Sequence, residues 1–431
     1  MKKIIAGICI ASTLLSASCK KDFTNPSAAK EDDVFTSTQA VTAVATGLQR
    51  IYSTNRAGAL YNIVTANGFS TNELLLMNPG NVPENQLNSG GGTVDGTNTI
   101  LANIWSNGNK IIFDANRVIN YAQGMEDKAY ASGLIGYATI FKALALGNMS
   151  MYWQQVPDTT GTLTTSVNFI DRVAGFNKAI GWIDRALAAM AANAPSSGFL
   201  TNIPAGIDIP NTLQALKARY ALFAGNYALA LSTANNVDLT KTAVFNYDAV
   251  FTNPIWETST STNNVWQVID STLGLPVGLQ PNLADQRVPF YTALNLTIAP
   301  RYRIKGFGAD KNTQWPVFLP GEITLIKAEC YARQNDLNTG LTELNKVVTK
   351  TAANDPLKVG AALPAITGPL SQAQLLTAIY QNRCIELYMS GLKMEDMRRF
   401  NRPLTERKRN FFPYPFAERD NNPNTPADPD F

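Results

Sequence analysis

Residues 380–400, YQNRCIELYMSGLKMEDMRRF, constrain the fold of this chain more than any other stretch. Ile379, Arg383, Glu386 and Leu387 recur at helical spacing, as do Leu392, Met394 and Met397, so the stretch predicts one long helix. Arg383 and Glu386 stand three apart, share a face and can pair; Glu395 relates to Arg398 and Arg399 in the same way. Gly391 interrupts the pattern where a bend or a close helix contact is tolerated. Pro403 ends it.

Helical patterns dominate the rest. Residues 37–52, opened by Thr36 or Ser37 as a cap, are periodic, and residues 100–122, 130–153 and 176–192 follow. Residues 213–223 and 227–235 form a helical hairpin around Gly225-Asn226. A second hairpin joins 324–332 to 337–350 around Gln334-Asn335-Asp336. Small residues at such turns let paired helices pack closely and stack on the next pair. The segment AGNYALA at 224–230 resembles the turn of tetratricopeptide repeats, with Asn335, Asp336, Leu337 and Gly340 a weaker copy.

Three stretches read as non-helical. Residues 246–269 carry Trp256, Trp266 and the alternating Val265, Gln267 and Ile269, which suggest one or two short strands. Residues 279–320 form a long irregular segment with Tyr291, Tyr302, Phe307 and Trp315. Residues 78–98 form an Asn-rich loop, with Gly90-Gly91-Gly92 as a flexible element. Loops this long in a compact protein usually carry function. Asn78, Asn81, Asn85 and Gln86 can donate to and accept from sugar hydroxyls, and Tyr291, Tyr302 and Trp256 can offer an aromatic face. Those five, Tyr291, Tyr302, Trp256, Asn81 and Asn85, are the candidate ligand-binding residues. Trp105 and Trp182 sit on helices and are assigned to the core, and Trp153 and Trp315 flank helix ends as packing residues.

The 380–400 segment, together with the tail RNFFPYPFAERDNNPN, resembles the C-terminal signature of the SusD/RagB family of bacterial outer-membrane nutrient-binding lipoproteins. Asn382-Arg383, Glu386-Leu387, Gly391, Asp396, Met397, Arg399, Pro413-Tyr414-Pro415 and Asn422-Pro423 carry the match. Asn382, Ser390 and Lys393 stand where the family has Glu, Glu and Arg. The helix order also fits: Trp105 with Ala115-Asn116, then residues 152–157, then 182–187. The resemblance implies a mainly α, SusD-like fold of tetratricopeptide-type helix pairs with long irregular loops and a few short β-strands. It also implies a SusC-like TonB-dependent transporter as partner and an oligosaccharide or peptide as ligand.

The N-terminus points to the same compartment. Met1-Lys2-Lys3 is cationic, residues 4–15 are apolar but too short to span a bilayer, and Ser16, Ala17 and Ser18 precede Cys19. This reads as a lipoprotein signal peptide over 1–18, with Cys19 lipidated by palmitate-type chains and 19–35 a flexible tether. Residues 36–240 are then an N-terminal helical-repeat region, and 241–431 a C-terminal region with the loop insertion and the signature helix. The expected place is the outer membrane, through the lipid anchor only, facing the cell surface.

Composition narrows the chemistry. The chain has no histidine, so serine triads and His-based zinc sites are excluded. No metal site or cofactor is expected. Cys330 and Cys384 fall in apolar helical patterns and are expected as buried free thiols, with a disulfide between them as the alternative. Phosphate-cradling glycine motifs are missing. A net charge of +3 implies no polyanion, hence no nucleic-acid partner, and the cluster Arg402, Arg407, Lys408 and Arg409 is read as a solvated surface. The leading reading is a cell-surface lipoprotein that captures a nutrient, foremost an oligosaccharide, for a TonB-dependent transporter. A helical-repeat protein binding peptide or protein cargo is the alternative. A glycosidase using acids such as Glu73, Glu84 and Asp285 is a third reading, with no spacing that marks a catalytic pair.

Overall fold

The computed structural model describes residues 35–160, 166–260, 264–297 and 299–431. The expected signal peptide, Cys19 and most of the expected tether lie outside these residues. The chain divides into two units, Met1–Val41 and Thr42–Phe431.

Side-chain caps set many of the helix starts. Helix α1 is Thr38–Ser53, where Ser37 Oγ accepts from the Ala40 amide at 3.2 Å. Helix α2 is Ala59–Ser70. Asn98, Asp127 and Asp171 cap α3 (Thr99–Gly124), α4 (Lys128–Tyr152) and α5 (Arg172–Ala192). Asp208 caps α6 (Ile209–Phe223) and Asn226 caps α7 (Tyr227–Ala234). Helix α8 is Pro320–Arg333, and α9 (Leu337–Val348) is capped by Asp336. A capping box of Ser371 and Gln374 opens α10 (Gln372–Glu386), and α11 is Lys393–Arg399.

Within Thr42–Phe431, α4 and α8 are the two hubs. Helix α4 is long and apolar enough to cross a membrane, but its flanks are filled by α3, α5 and α6, so it is a core helix. Helix α8 packs on α6, α7, α9 and α10. Because α6 and α7 precede residue 240 and α8 follows it, helices from both sides of that position share one core. Close packing needs glycine at Gly147 of α4, where a Cβ would come within 2.2 Å of the Tyr220 ring. The two predicted hairpins end their first helices identically. At α6–α7, Gly225 takes φ +77° and the Asn226 amide donates to Ala221 O at 2.9 Å. At α8–α9, Asn335 takes φ +67° and the Asp336 amide donates to Tyr331 O at 2.9 Å. Both are left-handed helix stops, and asparagine is the side chain that best replaces glycine there.

The strands form four two-stranded antiparallel ladders among the described residues. They are β1 (Leu74–Leu76) with β5 (Trp266–Val268), β2 (Gln155–Pro157) with β3 (Phe169–Asp171), β4 (Val244–Phe245) with β8 (Trp315–Pro316), and β6 (Thr292–Leu294) with β7 (Tyr302–Ile304).

The predicted long C-terminal helix is two helices. Helix α10 stops at Glu386, Met389 and Gly391 take φ +60° and +83°, and α11 starts at Lys393. Gly391 makes the expected close contact: a Cβ there would lie 2.5 Å from Ile63 Cγ2, and its carbonyl accepts from Tyr152 Oη at 2.7 Å. The turn also undoes the Arg383–Glu386 pair. Arg383 instead grips Asp396 of α11 with two bonds of 3.0 Å, while Glu386 pairs with Arg287 at 3.2 Å and Lys350 at 2.7 Å. A two-pronged contact across the turn is stronger than a single-bond i,i+3 pair. Glu395 does pair with Arg398, whereas Arg399 turns to Asp396 and Glu329.

The tail after α11 clasps the N-terminal helices. Phe412 N donates to Tyr152 O, Trp153 Nε1 to Pro413 O and Trp105 Nε1 to Glu418 Oε2, each at 2.9 Å. Asn422, of the Asn-Pro pair, donates to Val167 O at 3.0 Å. The basic cluster is part of this clasp and not a solvated patch. Arg409 is buried and donates to Gly91 O, Lys408 donates to Asn88 Oδ1, and Arg402 pairs with Glu406. Gly90, the first of the triple glycine, is correspondingly packed: a Cβ there would meet Lys408 Cβ at 2.4 Å.

Two non-helical readings are also corrected. The Asn-rich loop contains a helix, Val82–Ser89, and residues 246–269 contain a helix, Pro254–Thr260, beside one expected short strand, β5, among their described residues. The long segment 279–320 is built from the short helix Arg287–Tyr291 and strands β6, β7 and β8. Cys330 and Cys384 are buried free thiols, and burial pushes both up to about 12.

Candidate functional site

One buried amide organises the non-helical face. Gln267, in the centre of β5, has no exposed surface to speak of. Its Nε2 donates to Ser259 O in the helix Pro254–Thr260 at 2.7 Å, and its Oε1 accepts from the Ile304 amide of β7 at 2.9 Å. Asn253 fixes the other end of that helix: its Oδ1 accepts from the Ile255 amide at 2.9 Å, and its Nδ2 donates to Phe307 O and Thr313 O at 2.7 and 2.8 Å. Strand β5 is in turn paired with β1, and just beyond β1 the amides of Met77 and Asn78 both donate to Val265 O. The helix bearing Trp256, the strand bearing Tyr302 and the start of the Asn-rich segment are therefore tied to one scaffold.

Trp256 and Tyr302 are half-buried, each with surface left for a ligand. Opposite Tyr302 in the ladder stands Leu294, which is largely exposed, as is Leu296 beyond it. Asn81 and Asn85 are half-buried, one at the N-terminal end of the helix Val82–Ser89 and the other on its first turn. Asn81 donates to Asn78 O at 3.2 Å, and between the two asparagines Glu84 points inward to Arg56 and Tyr61.

Tyr291 lies elsewhere. It has no exposed surface, and its hydroxyl donates to Glu386 O at 2.6 Å. Its ring packs against Phe290, Phe307 and Tyr388, and burial holds the hydroxyl well above the usual phenol range. Tyr291 lines a small internal cavity of about 50 Å³, with Tyr52, Arg219 and Glu322 on its walls. The fold thus brings the surface elements of Trp256, Tyr302 and the asparagine segment together, and puts Tyr291 against the signature helix.

The six tryptophans divide sharply. Trp105, Trp153, Trp266 and Trp315 are buried, which matches the core assignment for Trp105 and the packing assignment for Trp153 and Trp315. Trp182, also assigned to the core, is half-exposed, and Lys142 Nζ sits 3.9 Å from its ring centroid. Neither residue of this pair was a candidate, since they lie on different helices and their spacing carries no signal. The acids weighed for glycosidase chemistry are all buried: Glu73 is bonded to Asn67, Glu84 to Arg56 and Asp285 to Arg287. Among the described residues no group of three His, Cys, Asp or Glu could hold a metal ion.

Known proteins resolve the family. The SusD family model matches residues 303–428, the stretch holding α8 to α11 and the tail clasp. Over that stretch the chain is similar to the SusD family. Structural likeness extends the fold over nearly the whole chain. A SusD superfamily protein from Bacteroides fragilis superposes with a TM-score of 0.68 at 17% identity, covering 91% of this chain and 99% of its own. A SusD-like carbohydrate binding protein from Bacteroides vulgatus gives 0.65 at 15% identity, over 83% and 82%. Another of that description, from Bacteroides fragilis, gives 0.65 at 14% identity, over 91% and 99%. No curated protein matches the sequence. For this SusD-like chain, the buried pairs of α10 and α11 lie within the matched residues.

Proposed function

We propose that this protein is a cell-surface lipoprotein that binds a carbohydrate on the face carrying Trp256, Tyr302, Asn81 and Asn85 and hands it to a TonB-dependent transporter of the outer membrane. The observation that carries the reading is the Gln267 scaffold, which holds two half-exposed aromatic residues on adjoining elements in a fold whose solved relatives include carbohydrate binding proteins. Sugars present apolar ring faces to aromatic side chains and hydroxyls to amides, and a rigid platform lowers the entropy of binding. Lipidation at Cys19 would keep the platform at the membrane. Such a protein binds its cargo and does not transform it.

The test is a panel of glycans and peptides applied to residues 20–431, followed by titration of alanine variants. Trp256→Ala and Tyr302→Ala are expected to cost about 1 to 3 kcal/mol each, roughly tenfold to a hundredfold in affinity. Full binding by both variants, or capture of peptides but no glycan, overturns the site or the cargo class. Cys19→Ala should release the full-length chain from the membrane fraction, and mild-detergent pull-down of the native chain should recover a transporter-sized partner.

A further inference from the structure

The groove between α3, α4 and α5 holds a cation without a partner. Lys142 of α4 is only 8% exposed, and among the described residues no carboxylate pairs with it. Its ammonium lies over the Trp182 ring and lines a cavity of about 210 Å³ with Asn109 and Asn116 of α3 and Lys178 of α5. A cavity of about 150 Å³ already admits a six-membered ring. The charges around Lys142 are lopsided. Lys178 and Arg185 face it from α5, while the one carboxylate at the cavity, Asp158, is bonded to Lys178. Helix α3 contributes Asn109, Ile112 and Asn116 to the lining and no charge, and Asp184 of α5 is turned to Lys217.

Burying an ammonium without an anion is costly, and the cation–π contact with Trp182 offsets only part of that cost. We propose that this groove is a second binding site, for a small carboxylate-bearing ligand of the size of one sugar acid, whose carboxylate pairs with Lys142 while the Asn109 and Asn116 amides meet its polar groups. The site shares no residue with the Trp256–Tyr302 face, so it stands or falls independently of the carbohydrate reading. Burial, Arg185 and Lys178 bring the Lys142 ammonium down to about 8, so its charge is lost within an accessible pH range. The anion should therefore bind tightest below pH 8 and be released as pH rises past it.

The experiment is calorimetric titration with glucuronate, glucose and N-acetylalanine. At pH 6.5 glucuronate should bind and glucose should not; binding of N-acetylalanine alone would keep the carboxylate site and assign it to peptide ends. Affinity should drop about tenfold or more by pH 9.5. Lys142→Gln should abolish binding, Lys142→Arg should keep it up to pH 9.5, and Trp256→Ala should leave it unchanged. Circular dichroism of each variant separates lost binding from lost fold. Absence of carboxylate binding to the folded native chain at millimolar ligand, or equal binding by folded Lys142→Gln, overturns the proposal.

Discussion

Around α10 and α11, the cations Arg287, Arg333, Lys350, Arg383 and Arg399 meet the buried carboxylates Asp285, Glu329, Asp355, Glu386 and Asp396, and Glu395 pairs with Arg398 and Arg172. In the groove of α3, α4 and α5, Lys142 is nearly as deep and meets an aromatic ring instead. The same element, a charge taken out of water, thus has opposite settings. In the first region these pairs are closed within the chain, Lys393 of α11 is met by the carbonyls of Leu273 and Gly274, and the pairs link segments far apart in sequence: Arg287 to Glu386, Glu329 to Arg399. That is what a fold-defining signature needs. In the second region the chain leaves the cation unanswered, and an unanswered charge is where a ligand gains most by arriving. A charge's partner, more than its depth, tells structure from binding.

The largest effect should come from breaking a matched pair. Asp396→Ala leaves Arg383, fully buried, without its carboxylate, and takes one of two partners from Arg399. Removing one side of a buried pair costs about 3 to 5 kcal/mol. Chemical denaturation should show that loss, and a loss below about 1 kcal/mol would mean the network is ornamental. Replacement of both Arg383 and Asp396 by apolar residues of similar volume should cost less than Asp396→Ala alone.

Acid should probe the same network through Glu329. Burial raises its pKa, but Arg399, Arg383 and Arg333 outweigh burial and hold it at about 2, against an ordinary 4.5. The folded state therefore binds this proton less readily than the unfolded state. Its contribution is full above about pH 4.5 and is lost as pH falls towards 2. The difference corresponds to on the order of 3 kcal/mol. Stability measured from pH 6 to pH 2 should fall across that window, and Glu329→Gln should flatten the fall while lowering stability at pH 6.

These contrasts explain what the sequence could reveal. Helices α3 to α7 were legible because each sets apolar against polar residues or is bracketed by capping side chains such as Asn98, Asp127 and Asn226. Helix α2 was missed because all of Ala59–Ser70 is buried, leaving no polar face to create a period. Residues 387–391 read as helix because Leu387, Tyr388 and Met389 fit one; the left-handed turn is imposed by Arg383 reaching Asp396 and by the fit of Gly391 against Ile63. Tyr291 looked like a loop aromatic, but the helix Arg287–Tyr291 folds onto α10 through Arg287 and Glu386. Gln267 stood in an alternating strand pattern, which could not show that its amide would join two other elements. Lys142 and Trp182 meet across two helices, and nothing in their spacing announces it.

The sharpest form of the comparison reverses the sign of an effect. Lys142→Met exchanges an unpaired ammonium for an apolar side chain of similar length beside the Trp182 ring. At pH 7 the folded state disfavours the charged lysine, since its pKa falls from 10.5 to about 8, so native stability carries a cost that shrinks as pH rises from 8 towards 10.5. Removing the charge should stabilise the protein by about 1 to 3 kcal/mol at pH 7, and the gain should fade by pH 10.5. Denaturation of the native chain and of Lys142→Met at both pH values would check it. A stabilising variant that no longer binds a carboxylate is the signature of a residue kept for its ligand at the expense of the fold. Destabilisation at pH 7 comparable to that of Asp396→Ala would place Lys142 with the matched charges of α10 and α11 and erase the contrast between the two regions.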